Sequence, residues 1–190
     1  KESLLPGADF YVWGCIGKPG FRPFFRYLSH VEDATGLTMA NLITWKKRRA
    51  YGVRTNYIFT REECAYFVNG DAKHPRCFNV PYLDEIRGYD GFKKDSPALD
   101  PRYRRSNVWT DITEIMQGKS HPTQKKQRLH EVMIEVHTQP GEYVIDQFAG
   151  YGTTADAAIA LGRRYLVVER DERYFDMICE RMAKRGKETA

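Results

Sequence analysis

Two carboxylates and two glycines near the C-terminal end have the types and spacing to hold a ligand. Asp146 closes a short apolar run, Tyr143 to Ile145, and Gly150 and Gly152 follow it. Glu169 comes nineteen residues after Gly150, at the end of a second apolar run, Tyr165 to Val168. Between these runs, Thr153 and Thr154 lead into Thr154-Ala-Asp-Ala-Ala-Ile-Ala-Leu161, whose alanines predict a helix. A strand that breaks into a Gly-x-Gly turn and opens a helix suits a nucleotide-type cofactor. Glycine lets the backbone approach a ligand closely, and the helix N-terminus offers unpaired N–H groups. An acid at the tip of the next strand suits the two hydroxyls of a ribose. Gly150-x-Gly152-x-x-Ala155 also satisfies the loose dinucleotide pattern of NAD-binding domains. Such a domain continues through further βα units, whereas only twenty-one residues follow Glu169.

Those last residues predict one helix with Tyr174, Phe175, Ile178 and Met182 on its apolar side. The other strands of an α/β sheet must therefore come from earlier in the chain, a permuted order. Pro6-Gly7 predicts a turn, and Asp9 to Trp13 a strand covered on both faces. Pro23 to Val31 predicts a short helix packed through Phe24, Phe25, Tyr27 and Leu28. Met39 to Trp45 predicts a strand running into Lys46-Lys47-Arg48-Arg49. Residues 55–60 and 64–68 predict two further strands joined at Arg61-Glu62-Glu63. Residues 69–120 carry many turn residues and little periodicity, as functional or mobile loops do. From Gln124 to about His137, the spacing of Leu129, Val132, Met133 and Val136 predicts a helix packed on the sheet, with Thr123 as its cap and Pro140-Gly141 as its stop.

At 190 residues, 42% apolar and 29% charged, the chain fits one globular domain. It contains no run of the roughly 18 apolar residues that a membrane span needs, and no signal peptide is visible at Lys1. Cys15, Cys64, Cys77 and Cys179 lack metal-ligand spacing, which points to reduced thiols in the cytoplasm and no metal site. The net charge of +5 is concentrated in runs: Lys46, Lys47, Arg48 and Arg49; Arg102, Arg104 and Arg105; Lys119, Lys125, Lys126 and Arg128. Such runs suit a polyanion, DNA among them.

Asp146-Gln-Phe-Ala-Gly-Tyr-Gly-Thr-Thr154, Leu161-Gly-Arg-Arg-Tyr165 and Glu169-Arg-Asp-Glu-Arg-Tyr174, preceded by His121-Pro-Thr-Gln-Lys125, together resemble the amino-methylating DNA methyltransferases of the permuted (beta) group. The order of strands over residues 9–68, with Ile43-Thr-Trp45-Lys46 among them, resembles the same family more loosely. The resemblance implies a Rossmann-like, three-layer α-β-α fold with a mixed, mostly parallel sheet. Residues 1–68 would form the second half of the sheet, 69–120 a target-recognition insert, and 121–190 the cofactor half. It further implies S-adenosylmethionine as cofactor and methylation of an exocyclic amine in DNA, adenine N6 ahead of cytosine N4. Asp146 would meet the ammonium of the methionyl tail. Thr153 and Thr154 would meet its carboxylate, and Thr123, Gln124 and Lys125 would approach from the neighbouring loop. Glu169 would take the ribose. The tail would lie over the turn from Phe148 to Gly152, with Phe148 either on the adenosine or in the core. The chain departs from the family where Gln147 and Lys126 replace prolines and Tyr151 replaces a small residue. The Tyr151 ring either obstructs the methionine pocket or points away.

The resemblance also implies a tetrapeptide of the Asp/Asn/Ser-Pro-Pro-aromatic type, which accepts hydrogen bonds from the target amine and stacks on a base swung out of the duplex. It is expected ahead of Lys1. The nearest match within the chain is Asn79-Val-Pro81-Tyr82, in an unfavourable context. The expectation is thus a fragment or a split enzyme served by a second chain or a homodimer. The alternatives are a non-catalytic subunit that binds nucleic acid for a partner and, further off, an NAD-binding domain.

Overall fold

A computed structural model describes residues 4–14, 21–51, 58–86, 102–114 and 124–188. In chain order the elements are β1 (Asp9–Gly14), α1 (Phe21–Thr35), β2 (Thr38–Tyr51), β3 (Phe59–Val68), β4 (Tyr82–Ile86), β5 (Arg102–Arg104), β6 (Val108–Trp109), α2 (Gln127–His137), β7 (Tyr143–Asp146), α3 (Thr153–Ala160), β8 (Arg164–Val167) and α4 (Glu172–Glu188). The main sheet runs β1-β3-β2-β6, with β3 antiparallel to both neighbours and β6 parallel to β2. β7 and β8 form a separate parallel pair, and β4 and β5 an antiparallel one. The pairing is mixed as expected, but β3 between β1 and β2 gives it more antiparallel character than a mostly parallel sheet.

Side-chain alternation sorts the main sheet into two faces. Phe10, Val12, Leu42, Ala65 and Phe67 meet Phe24, Leu28 and Val31 of α1. Tyr11, Trp13, Ile43, Trp45 and Cys64 meet Leu129, Val132 and Met133 of α2. The three layers follow from this alternation. α1 is longer than the sequence predicts, and its buried stripe is Phe24, Leu28 and Val31, at helical spacing. Phe25 and Tyr27, expected to pack, flank this stripe and are exposed. Gly14 lies against the Phe24 ring, where a Cβ would stand 2.1 Å from a ring carbon.

Two expectations change. The join between two strands expected at Arg61–Glu63 is absent: one ten-residue strand runs through it. Each carboxylate there is paired, Glu62 by Lys47 and by Lys125 of the loop before α2, and Glu63 by Arg61 and the Thr44 hydroxyl. Residues 55–57 lie outside the described residues. The stretch 102–114, expected as loop, feeds the core. β6 joins the sheet, Trp109 and Ile112 are buried, and the Trp45 indole donates to the Ile112 carbonyl at 2.6 Å.

α2 ties the two sheets together. Its Leu129, Val132 and Met133 pack on the main sheet, while Ile134 packs with Ala157 and Ala158 of α3 beside Val144 and Tyr165. Leu129 is fully buried at this junction. Leu129→Ala is expected to destabilise the chain by about 2–5 kcal/mol, read as a lowered midpoint in urea denaturation.

Candidate cofactor site at the glycine turn

β7 and β8 pair in register from Tyr143–Arg164 to Asp146–Val167, so both strands end together. The ladder continues through Val168 N–H to the Asp146 carbonyl and Ala149 N–H to the Val168 carbonyl, at 2.8 and 2.9 Å. The chain then reverses at Gly150 (φ 55°) and Gly152 (φ 79°), left-handed positions that an L side chain enters only with strain. Gly152 is required for a second reason, because a Cβ there would sit 2.9 Å from Ile178 of α4.

Both carboxylates face this turn. Asp146 Oδ1 accepts the Phe148 N–H at 2.9 Å, and Oδ2 accepts the Thr154 hydroxyl at 2.5 Å. Glu169 Oε2 accepts the Gly150 N–H at 2.7 Å, and Oε1 the Asp171 N–H at 2.9 Å. Backbone N–H groups thus fix two acids on one bend from two successive strand ends. Thr153 and Thr154 are buried in the first turn of α3. Phe148 is 89% exposed, so it does not fill the core. The Tyr151 ring is drawn away toward α4, where the Arg181 guanidinium lies 3.9 Å from its centroid. Arg181 also donates to the Tyr151 carbonyl and pairs with buried Asp156.

The loop before α2 approaches from the main sheet. Lys125 Nζ bonds Glu62 at 2.7 Å and lies 4.9 Å from the Trp13 ring centroid. Burial pushes the Glu62 carboxyl up, but Lys125 and Lys47 outweigh it and hold the group below its ordinary value. Gln124 is half-buried beside Lys125, and Thr123 lies outside the described residues. One residue was not singled out in the sequence: His130, whose Nδ1 is 3.1 Å from the Thr154 hydroxyl. Its signal was the stripe His130, Met133, Ile134 and His137, a polar residue at the spacing of a buried face.

The basic runs do not form one patch. Arg105 is taken by a two-pronged pair with Asp111 at 2.8 and 2.7 Å, its side chain only 6% exposed. Arg102 and Arg104 lie over the rings of Tyr82 and Phe78. Next to them, Asn107 is bonded to Asn41 and Leu42, early in β2. Lys46, Lys47 and Arg48 lie later on the same strand, on the order of 15–20 Å away at ~3.3 Å per residue. Their end of β2 is the one shared with Glu62 and Lys125. Lys46 and Arg48 are exposed there, Lys47 is committed to Glu62, and the Arg49 side chain lies outside the described residues.

Asn79-Val-Pro81-Tyr82 lies at the opposite end of α2 from His130. The Asn79 amide donates to the Glu135 and Thr138 carbonyls, and its backbone N–H to the Val136 carbonyl. It closes a helix C-terminus, and its donors are spent there. Two cavities, of about 160 and 210 Å³, open at that same end. Their linings include Pro81 and Arg105 but none of the glycine-turn residues. Among the described residues, no cluster of His, Cys, Asp or Glu could hold a metal ion.

Burial, aided by Lys125 and opposed by Asp146, pushes the His130 imidazole down to about 4. The native state therefore binds fewer protons than the unfolded chain, whose histidines titrate near 6.5. The contribution of His130 to stability is complete above about pH 6.5 and declines as pH falls toward 4, by up to about 3 kcal/mol. Urea denaturation across this range should show a steeper acid loss for the parent chain than for His130→Asn.

Residues 10–180 match the family described as DNA methylase, of the N6/N4 type. Among curated proteins, the type II methyltransferase M2.DpnII of Streptococcus pneumoniae is 30% identical over 188 residues, covering 96% of this chain and 63% of that protein. The type II methyltransferase M.HpaI of Haemophilus parainfluenzae is 28% identical over 168 residues, 83% of this chain and 50% of that one. The chain thus spans about half to two-thirds of these relatives' length. Among solved structures, the cytosine-N4-specific PvuII DNA methyltransferase superposes with a TM-score of 0.69 at 18% identity, covering 93% of this chain and 64% of that one. The M1.HpyAVI–SAM complex gives 0.67 at 23% identity, with coverage of 94% and 76%.

Proposed function

This chain belongs to the N6/N4 DNA methylase family, and from that premise we propose that it binds S-adenosylmethionine at the glycine turn and serves methylation of an exocyclic amine in DNA. Adenine N6 is favoured over cytosine N4. The observation that carries the reading is the convergence of Asp146 and Glu169 on one turn, each held there by backbone N–H groups. When bound, the cofactor supplies an electrophilic methyl group on a sulfonium.

The residues fit such a ligand. Asp146, oriented by the Phe148 N–H and the Thr154 hydroxyl, presents a fixed anion to the ammonium of the tail. Glu169 presents its carboxylate to the ribose hydroxyls. Thr153, and Thr154 through its backbone N–H, meet the tail carboxylate in the first turn of α3, where the helix N-terminus favours negative charge. Gly150 and Gly152 keep side chains off the turn. The exposed Phe148 ring is available to stack on the adenosine. Gln124 and Lys125 close the approach from the main sheet, with Thr123 expected beside them. The turn-out of Tyr151 onto Arg181 removes the obstruction that its size suggested. The looser dinucleotide pattern gives no comparable support for NAD.

Lys46 and Arg48 are exposed at the end of β2 that Glu62 and Lys125 share, and serve phosphate contact with DNA. Arg102 and Arg104 would form a second, separate contact area. The β7–β8 pair leaves Tyr143, Ile145, Leu166 and Val168 between 51% and 59% exposed on one face. Parallel strands are ordinarily covered on both faces. A further segment, from a longer polypeptide or a second chain, would cover this face, and the target-base tetrapeptide would come with it. Asn79 remains a helix cap.

Isothermal titration should give heat with S-adenosylmethionine and none with NAD. Asp146→Ala and Glu169→Ala should each weaken cofactor binding by about tenfold or more, the loss of a charge-assisted contact, with DNA retention unchanged. Heat with NAD alone would reverse the assignment. In a filter assay, the 190-residue chain by itself should transfer little methyl to DNA. Robust turnover without an added segment would show that the open face needs no cover.

A further inference from the structure

We propose that His130 is a positioning residue for Asp146, acting through the Thr154 hydroxyl, and that it sets how tightly the amino-acid tail of the cofactor is held. The inference rests on the reading that Asp146 receives that tail. Three elements meet in this contact: His130 on α2, Thr154 in the first turn of α3, and Asp146 at the end of β7. The hydroxyl of Thr154 lies 2.5 Å from Asp146 Oδ2 and 3.1 Å from His130 Nδ1.

Proton counting fixes the direction of each bond. A carboxylate accepts only, and a threonine hydroxyl has one proton to give. That proton goes to Asp146. At the same oxygen His130 must then be the donor, so Nδ1 carries the hydrogen and Nε2 the lone pair. The charged groups facing the ring are Lys125, from the loop before α2, and Asp146 itself, and burial with Lys125 keeps the ring neutral.

Without the imidazole, the Thr154 hydroxyl loses the donor that fixes its rotation and is free to turn away from Asp146. Asp146 would then keep only the Phe148 N–H. The carboxylate would remain in place but lose one of two anchors, so the cost should fall on the tail and not on the adenosine.

The test has two arms. Long-range proton–nitrogen NMR on histidine-labelled protein should show His130 as the Nδ1–H tautomer near neutral pH, and Thr154→Val should abolish that preference. Calorimetry should compare S-adenosylhomocysteine, which carries the tail, with methylthioadenosine, which lacks it. His130→Leu should weaken the first by about tenfold and the second by less than about twofold. His130→Asn, whose amide can donate from the place of Nδ1, should restore tail affinity to within about threefold of the parent. An Nε2–H tautomer overturns the proposal, as does equal weakening of both ligands in His130→Leu or failure of His130→Asn to rescue. A parent chain that binds neither ligand while showing the Nδ1–H tautomer overturns the cofactor reading and the tail role with it, and leaves the proton arrangement standing.

Discussion

The structure depends on α2 packing against two sheets at once. Leu129, Val132 and Met133 occupy the face of the main sheet built from Ile43, Trp45, Cys64 and Trp109, while Ile134 reaches Ala157 and Ala158 beneath the β7–β8 pair. Main-sheet strands and the β7–β8 pair share no ladder among the described residues, so this helix fixes their relation. Its first turns bring Lys125 over Trp13 and His130 to Thr154. Its last turn seats His137 against Asp9 and receives Asn79. The glycine turn therefore stands where it does because an apolar stripe on one helix is satisfied on two sides.

On that frame the electrostatics are local. Asp146 and Glu169 are oriented by short backbone contacts, and Lys125 is paired with Glu62. The pairing of Lys47 and Lys125 with one glutamate lets a charged strand segment run through the sheet without a break. Arg181 plays a similar part on the other side, pairing with buried Asp156 and holding the Tyr151 ring on its guanidinium.

The glycine-turn unit was legible because its signals are local. Strand, glycine turn, helix and terminal acid follow one another in the chain, and each rests on short-range backbone rules. The strands of the main sheet were legible from alternation, but Arg61–Glu63 was not. Its charges suggested a join between two strands, and the partners Lys47, Lys125 and Thr44, remote in sequence, with neighbouring Arg61, make a continuous strand tolerable there. Residues 102–114 were missed for the same reason, since Trp109 and Ile112 gain their burial from β2 and α2, which are remote in sequence. The basic runs were legible as charge but not as a surface. Asp111 claims Arg105, and strand geometry separates the rest. His130 was hidden because a histidine on an apolar stripe reads as filler until its acceptor is seen.

The contact of Gly152 with Ile178, joined to the hold of Arg181 on the Tyr151 carbonyl, makes the final helix an extension of the turn. Whatever ligand steadies the turn must steady α4 by the same free energy, and the reverse holds by reciprocity. Sequence drift along α4 can therefore tune affinity at the turn, and resistance of this helix to proteolysis becomes a remote gauge of occupancy.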